Sequence, residues 1–446
     1  MNKLHLISLI VCVSIGFVSC NDDDCEDLHL DNLAHYPNVL KGTFPTENQS
    51  LSIGETLKIT PELLNPENAN YSWFINGEAY SNEHTFNYKI EKPCRVNLTC
   101  IISNEYGKVE MNTSFSSNHD FSKGFFYFNE TFNFYDAEKK VKYEDCYSSL
   151  NAGKQIRADK PSICINNGKL YILNNSSITN ADHLFVVDSK TLYYEKSAVI
   201  GTHLHGMTIL NDQYALVGGD GIRRINLKSL SNVSLTTNSS YSLFNGIVYN
   251  GKVLVNDTYE KLSQVKCYNI SDLLAAKENE MPPAIEPGLD ITQNQKINFV
   301  QAKDGNVYTL ESTDAGCSIV KIDKNFAVQK IPVNFKPAKG PYWSSPTVGM
   351  VASETEGIIY IASADNSIYK YIIGDPGSVK EPFIPADESG LPVAATLQLN
   401  PKTGELYAIY GKQWENYKIV IYNKSGKQVD SIDCGENALS HIIFNH

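Results

Sequence analysis

Two short stretches carry residue types that are suited to metal or phosphate binding. His203 and His205 alternate in GTHLHG, so both imidazoles would point the same way from an extended segment. They would form half of a metal site, but no third ligand follows at a recognisable spacing, and we predict no metal. Gly218–Gly221 follows a strand and precedes no helix, whereas a phosphate loop needs that helix. A tight hairpin is the better interpretation.

Charge and residue spacing also argue against two classes of function. Catalysis needs titratable groups that converge with a defined geometry. Here the carboxylates are scattered, and no serine elbow has a matching histidine, so we predict no catalytic residues and no cofactor. The net charge is −12 and no run of Lys or Arg occurs, which excludes a nucleic-acid partner because such binding rests on basic side chains. Hydrolase or lyase activity therefore ranks last among the functions that we consider.

The residues best suited to bind a ligand lie in the loops between the predicted strands. They are aromatic, amide, acidic and imidazole side chains: Asn129, Glu130, Phe132, His203, His205, Tyr241, Phe244, Asp257, Tyr259, Tyr342, Trp343, Trp414 and Tyr417. Rigid aromatic rings interleaved with Asn and Asp suit a large, polar ligand with flat or apolar faces. For each residue the alternative is packing of one repeat on its neighbour. Trp343 and Trp414 favour binding, because each lies among Gly, Ser, Lys or Glu.

The strands that position these loops repeat along the chain. Six copies of one turn pattern run from NNGKLYIL at 166–173 to KTGELYAI at 402–409, with a period of about 47 residues. Each copy has an apolar strand before the turn, a strand after it, a third strand such as LFVVD and a looser fourth strand. Four short strands in a repeat of this length are typical of a β-propeller blade.

The two ends of the repeat region each lack a partner strand. Residues 124–147 supply outer strands without an innermost strand, and SHIIFNH at 440–446 matches the first strand of a blade. If this last segment enters the first blade, seven blades close as a ring and leave no open edge. We therefore predict a seven-bladed propeller over residues 119–446, with eight blades as the alternative.

A smaller domain precedes the propeller. Residues 36–118 alternate polar and apolar residues in short strands, with Trp73 on one strand and the hairpin dipeptide Asn76-Gly77 after it. Tyr71-x-Trp73, Asn76-Gly77 and SNEYG resemble a PKD or immunoglobulin-like module. The fold class that we predict is therefore all-β, with an N-terminal sandwich and a C-terminal propeller. The resemblance implies a spacer or a contact domain.

The first residues predict export. An apolar run from Leu4 to Val18 follows Lys3, and about fifteen such residues are too few for a membrane-spanning helix. The ending Val18-Ser19-Cys20 resembles the lipobox of bacterial lipoproteins, in which the thiol at this position receives a diacylglycerol. We therefore predict a signal peptide at 1–19 and a tether at 20–35 that is anchored at Cys20. After Cys20 the tether reads NDDDCED and resembles the acidic stretch that marks some Gram-negative lipoproteins for the outer face of the outer membrane, which implies that the chain faces outward. The alternative is a secreted protein with an incidental cysteine.

The resemblance to known propellers suggests a function. LYILNN, VYTLES and IYIASAD resemble YVTN-type propellers of secreted prokaryotic proteins. The opening KGFFYFNE resembles a group of surface-lipoprotein propellers, although NETFNF stands here where that group has Asn-Glu-Gly. Some members of the group capture cobalamin for an outer-membrane transporter, which implies a receptor with such a transporter as its partner. The alternative is an adhesin or scaffold that binds another protein, marked by an exposed apolar patch.

Overall fold

The computed structural model describes residues 35–156, 161–174, 181–219, 221–236, 245–256, 263–285, 288–293, 298–338, 349–386, 393–411, 416–437 and 439–444. Strands make up nearly all of the regular secondary structure of these residues, so the prediction of an all-β fold is confirmed. The chain divides into two compact units. The first takes the described residues up to Asn48, with Leu57–Tyr88 and Asn97–Ser114, and the second takes Gln49–Thr56, Lys89–Val96 and the chain from Phe115 onward.

The strands before residue 119 form two sheets. The larger has the order β1 (Gln49–Ser52), β7 (Gly107–Asn118), β6 (Arg95–Asn104), β3 (Asn70–Ile75) and β4 (Glu78–Ser81). The smaller pairs β2 (Thr56–Ile59) with β5 (Phe86–Lys89).

Trp73 and the turn after β3 behave as predicted. Trp73 is fully buried, packs on Phe86 and donates its indole N–H to the carbonyl oxygen of Glu83 at 2.8 Å. Asn76 and Gly77 have φ values of 52° and 88°. Positive φ at both central residues is what a two-residue hairpin turn of matching twist requires, and it explains why the chain has Asn-Gly there.

Seven further sheets follow in the residues that the structure describes. The first has the strand order β35 (His441–Phe444), β8 (Gly124–Phe128), β9 (Phe132–Asp136) and β10 (Val141–Tyr143). The second has the order β11 (Ser162–Asn166), β12 (Lys169–Asn174), β13 (Asp182–Asp188) and β14 (Tyr194–Gly201). The third has the order β15 (Gly206–Ile209), β16 (Tyr214–Gly219), β17 (Gly221–Asn226) and β18 (Asn232–Thr236). The fourth contains β19 (Asn245–Tyr249), β20 (Lys252–Asn256) and β22 (Lys266–Asn269).

The remaining three sheets complete the repeat. The fifth contains β21 (Ser263–Gln264), β23 (Thr292–Gln293), β25 (Val307–Thr313), β26 (Gly316–Ile322) and β27 (Val328–Val333), with β24 (Val300–Gln301) paired to β25. The sixth contains β28 (Met350–Ala352), β29 (Ile358–Ala362) and β30 (Ile368–Ile372). The seventh contains β31 (Val393–Leu399), β32 (Leu406–Tyr410), β33 (Tyr417–Tyr422) and β34 (Gln428–Gly435).

The C-terminal strand pairs with the first strand of the repeat region, as the two incomplete ends predicted. β35 runs antiparallel to β8, with His441 opposite Phe128 and Phe444 opposite Phe125. First strands of successive sheets also lie side by side: β11 beside β15, β15 beside β19, and β28 beside β31. This is the arrangement of propeller blades around an axis.

The prediction of four strands in every repeat is wrong for two sheets. After β22 the chain forms a short helix, α2 (Ile270–Ala275), and after β30 it forms a 3₁₀ turn at Pro376–Val379. Pro cannot donate to a sheet ladder, and prolines occur in both segments, so a regular fourth strand does not form among the described residues there. Another helix, α1 (Cys146–Leu150), follows β10.

The core lies between neighbouring sheets and explains the uninterrupted apolar strands. Phe126 and Phe128 pack toward Leu170, whereas Phe125 and Tyr127 on the opposite face of β8 pack toward Ile409. Successive residues of a strand point to opposite faces, so a sheet covered on both sides needs apolar residues at every position.

Candidate ligand-binding face

Four of the predicted ligand-binding residues, Asn129, Glu130, His203 and His205, lie in one class of loops, which we call the mouth loops. These connect the second to the third strand of a sheet, or the last strand of one sheet to the first strand of the next. Among the described residues they include 129–131 and 202–205. Strand pairing places Gly206 opposite Gly218 and Gly219 opposite Gly221, so residues 202–205 meet the sheet at the same end as Gly219 and Gly221.

Several predicted residues lie outside the described part of the chain. They are Cys20, Tyr241, Phe244, Asp257, Tyr259, Tyr342, Trp343 and Trp414. Their roles therefore stay predictions from the sequence.

The loop that carries His203 and His205 is held by its backbone. The carboxylate of Asp182, which is only 2% exposed, accepts a hydrogen bond from the backbone N–H of Leu204 at 2.7 Å. The N–H of His205 donates to the carbonyl oxygen of Gly218, also at 2.7 Å. Asp182 belongs to the sheet of β11–β14 and Gly218 to the sheet of β15–β18. Two neighbouring sheets therefore fix the backbone N–H groups of Leu204 and His205.

A glycine allows this loop to pass close to the sheet. A Cβ atom on Gly219 would lie 2.0 Å from the carbonyl oxygen of His203, so any side chain there would displace the loop. His203 itself is exposed and has a φ of 49°, in the left-handed region. The backbone therefore holds the His203 side chain at the surface, beside the half-buried His205.

A cation lies beneath the start of the same loop. Gly201 comes so close to Arg223 that a Cβ atom there would be 2.9 Å from Nε of the guanidinium. One terminal nitrogen of Arg223 donates to Oδ1 of Asn232 at 3.3 Å. In the described part of the molecule, the buried Nε has no hydrogen-bond partner. The loop thus combines two imidazoles with one fixed positive charge.

Asn129 organises another mouth loop. Its Nδ2 donates to the carbonyl oxygen of Cys434 at 3.1 Å, and its Oδ1 accepts from Nδ2 of Asn133. Because both polar atoms of the side chain bond within the protein, Asn129 joins the β8–β9 turn to the end of β34. Glu130, at the tip of that turn, is exposed with a φ of 71° and is the group that faces solvent.

Two of the predicted aromatic residues are packing residues in the structure. Phe132 has no exposed surface and lies 5.0 Å from Phe128, ring centroid to centroid. Tyr417 is also fully buried, among residues of the last sheet and of β35. For these two residues, the structure favours the alternative of packing between sheets.

Sequence reasoning missed the residues that hold the His203 loop. Asp182 opens the strand DHLFVVD and looks like an ordinary polar strand end, and Arg223 looks like an exposed strand residue. Only the pairing of neighbouring sheets reveals either role. In the described ranges, no group of three or more His, Cys, Asp or Glu residues is placed to hold a metal ion.

The fold and the loops define a two-domain, all-β protein whose larger domain is a β-propeller. Residues 123–444 match the family described as a domain of unknown function, DUF5074, and the chain belongs to that family. Residues 37–104 match the PKD-like domain, in agreement with the predicted sandwich.

Several solved structures are similar to this chain. A quinonprotein alcohol dehydrogenase-like protein from Bacteroides thetaiotaomicron is 60% identical, with 93% of this chain and 100% of that chain covered and a TM-score of 0.89. A functionally unknown protein from Desulfotomaculum acetoxidans is 12% identical, covering 71% and 99%, with a TM-score of 0.49. The Cps50 (Swd1) β-propeller domain of Myceliophteria thermophila is 11% identical, covering 63% and 88%, with a TM-score of 0.43. No curated protein matches the sequence.

Proposed function

We propose that this protein is a surface lipoprotein whose propeller binds an extracellular ligand at the mouth loops for delivery to an outer-membrane transporter. The observation that carries the proposal is the anchored loop of His203 and His205. Its backbone is bonded to Asp182 and Gly218 at 2.7 Å each, so the loop is ordered before a ligand arrives. A pre-organised loop loses little conformational entropy on binding, which favours affinity.

The ligand class follows from the residue types around this loop. Imidazole, guanidinium and carboxylate groups at the described loops would bond a polar ligand, and the aromatic residues predicted from the sequence would contact its flat faces. A cobalamin-like molecule has both kinds of surface, and the resemblance of KGFFYFNE to cobalamin-capturing lipoproteins supports testing it first. The proposal includes no catalytic step.

Calorimetric titration with cyanocobalamin tests the ligand. Residues 20–446 carrying Cys20→Ser should bind one equivalent, and His203→Ala, Trp343→Ala and Trp414→Ala should each weaken binding. His84→Ala is the matched control, because His84 lies in the first unit with its ring nitrogen 3.0 Å from the carbonyl oxygen of Pro61. No heat at micromolar concentrations would remove cobalamin from the proposal. If His84→Ala weakens cyanocobalamin binding equally, the effect of the other substitutions comes from lost stability rather than from a lost ligand contact.

The lipid anchor is a separate part of the proposal and has its own test. Expressed in a Gram-negative host, the full chain should incorporate labelled palmitate, and Cys20→Ser should abolish the label. Digestion of whole cells with an added protease should remove the propeller from the anchored form. Label that persists in Cys20→Ser would contradict the proposed anchor. Within the described residues, no helix is long and apolar enough to cross a bilayer.

One observation favours the adhesin alternative. Leu40 and Leu64 are 40% and 65% exposed, and their backbones lie on two segments of the first unit that pair with each other. Exposed apolar side chains on adjacent segments are a feature of protein contact sites. If the titration gives no small-molecule binding, pull-down from surface extracts with wild type and with Leu64→Ser would be the next experiment. A partner retained by wild type and lost by Leu64→Ser would support the adhesin.

A further inference from the structure

A cleft lies at the end of the propeller sheets opposite the mouth loops. It has a volume of about 330 Å³ and lies between the start of β8 and the turn that joins β31 to β32. Gly124 is opposite Asp136 and Phe444 is opposite Phe125, whereas the β8–β9 mouth loop leaves from Phe128 at the other end of the same strand. We call it the seam cleft, because one wall belongs to the first sheet and the other to the last.

The floor of the seam cleft is aromatic. The ring of Tyr407 meets Phe444 edge to face at 4.9 Å and Phe125 edge to face at 5.2 Å, measured between centroids. Phe125 and Tyr407 are buried, but Phe444 is only half-buried and so presents apolar ring surface to the cleft. Burial raises the pKa of Tyr407 to about 12, so its hydroxyl stays protonated, although a hydrogen bond with the side chain of Asn400 acts in the opposite direction.

The rim of the seam cleft is polar and carries charges of both signs. Lys123 and Glu138 form an ion pair at 2.8 Å, and each side chain is about half exposed or more. Lys402 is exposed on the other wall, and its positive charge interacts electrostatically with the carboxylate of Asp120. The pKa of Asp120 is lowered, chiefly by hydrogen bonds from Ser122 and in part by Lys123 and Lys402. Of the residues that line the cleft, Lys123 and Lys402 are cations and Glu138 is a carboxylate, and because Lys123 pairs with Glu138 the rim offers donors and acceptors with a surplus of one positive charge.

We infer that the seam cleft binds the ring of a neutral sugar. Such a ring has an apolar C–H face that can lie on Phe444 and hydroxyl groups that can bond to Lys402 and Glu138 at the rim. The volume is at the small end of the range for ligand pockets, about 300–1,000 Å³, which fits one ring and excludes a molecule as large as a corrinoid. One surplus lysine at an exposed rim is a weak site for a small anion, because solvent and salt screen its charge. This site is independent of the function proposed for the mouth loops.

Saturation-transfer-difference NMR on residues 20–446 with Cys20→Ser tests the inference. The probes are the methyl glycosides of glucose, mannose, galactose and N-acetylglucosamine at millimolar concentrations, with sodium benzoate as the anionic comparison. We expect transfer to at least one glycoside, strongest at the protons of its apolar face, and none to benzoate. Phe444→Leu keeps the apolar packing of β35 but removes the ring face, and should weaken binding about tenfold.

A repeat-equivalent lysine provides the matched control. Lys303 occupies the position in KDGNVYTL that Lys402 occupies in KTGELYAI, and both are exposed. Lys402→Ala should reduce transfer several-fold, whereas Lys303→Ala should leave it unchanged. The inference is overturned if none of the four glycosides receives transfer, if benzoate binds in their place, or if transfer is the same in Lys402→Ala and Phe444→Leu as in wild type. Thermal unfolding of each variant, matched to wild type, confirms that loss of transfer is not loss of fold.

Discussion

The sheet of β35 with β8–β10 and the sheet of β15–β18 share one strand order but are assembled differently. The second is continuous over residues 206–236, whereas the first joins residues 124–143 to residues 441–444. Both bury their strands on two faces, so the packing in the finished sheets is of the same kind. Closing a long loop costs conformational entropy before any contact repays it. The stability of the first sheet should therefore depend on β35, its C-terminal strand, more than the stability of the second sheet depends on any one of β15–β18.

The largest expected effect is from removing β35. A chain that ends at Leu439 lacks Ile442 and Ile443, both 5% exposed, and uncovers the edge of β8. Single Ile or Met to Ala changes in a core cost about 2–5 kcal/mol, so the truncation should exceed either and abolish cooperative unfolding of the propeller in urea. Ile443→Ala and Met207→Ala make the matched comparison, because Met207 is the large apolar side chain buried in β15, the first strand of the other sheet. A truncated chain that unfolds like wild type would show that β35 is dispensable.

Two glycines sharpen the comparison, one in each sheet. A Cβ atom on Gly124 would lie 1.8 Å from the carbonyl oxygen of Tyr135, and one on Gly219 would lie 2.0 Å from that of His203. Both contacts are with backbone, so Gly124→Ala and Gly219→Ala should each destabilise by about 1–3 kcal/mol in urea unfolding. Only Gly219→Ala should also weaken ligand binding at the mouth loops, because it displaces the His203 loop.

Gly357→Ala is the control for both substitutions. The nearest atom to its added methyl would be the Cβ of Ile373 at 3.9 Å, an ordinary contact. It should change the free energy of unfolding by less than about 0.5 kcal/mol. A cost for Gly124→Ala no larger than this would mean that the β8–β9 ladder can shift to admit a side chain.

An effect of similar size is expected at the anchor of the His203 loop. Asp182→Ala removes the acceptor for the N–H of Leu204 and leaves a buried donor unpaired, at a cost of about 1–3 kcal/mol. Hydrogen exchange at the Leu204 amide should become faster, while exchange in β8 should not change. Asp182→Asn keeps an acceptor oxygen and should be milder. Unchanged exchange at Leu204 in Asp182→Ala would show that the loop does not depend on this carboxylate.

The two sheets also show which features of the fold can be predicted from the sequence. The 47-residue repeat and the incomplete ends were enough to predict the propeller and the pairing of β35, because apolar strands and Gly turns are local signals. The turn residues Asn76-Gly77 likewise predicted a hairpin. The sequence did not predict the missing fourth strands after β22 and β30, where helix and turn replace a loose strand whose pattern is weak in every repeat.

The candidate sites were less predictable, because they depend on which sheets are neighbours. Aromatic residues in predicted loops suggested ligand contact, yet Phe132 and Tyr417 are buried between sheets. Loop position alone cannot separate these roles, since a residue at a strand end can turn inward or outward. The contact between Asp182 and Leu204, and the seam cleft between the first and last sheets, arise only when distant segments pack together.

The smallest expected effect is a dependence of stability on pH that comes from β35 itself. His441 is half-buried, and burial lowers its pKa to about 4, below the usual value of 6.5. Between these values the unfolded chain binds a proton that the folded chain does not, so folding is most stable above pH 6.5 and loses stability as the pH falls toward 4. From about pH 6 to about pH 5 the loss should be roughly 1 kcal/mol, somewhat less than the full linkage value because the ring is partly exposed.

The His119 pKa is also lowered, mainly by burial, so the pH dependence of wild type alone would combine the contributions of both histidines. The difference between wild type and His441→Asn, measured by urea unfolding across this range, isolates His441. If the two proteins lose stability in parallel, the pairing of β35 with β8 is insensitive to this charge, and the dependence of the first sheet on its last strand is a matter of apolar burial alone.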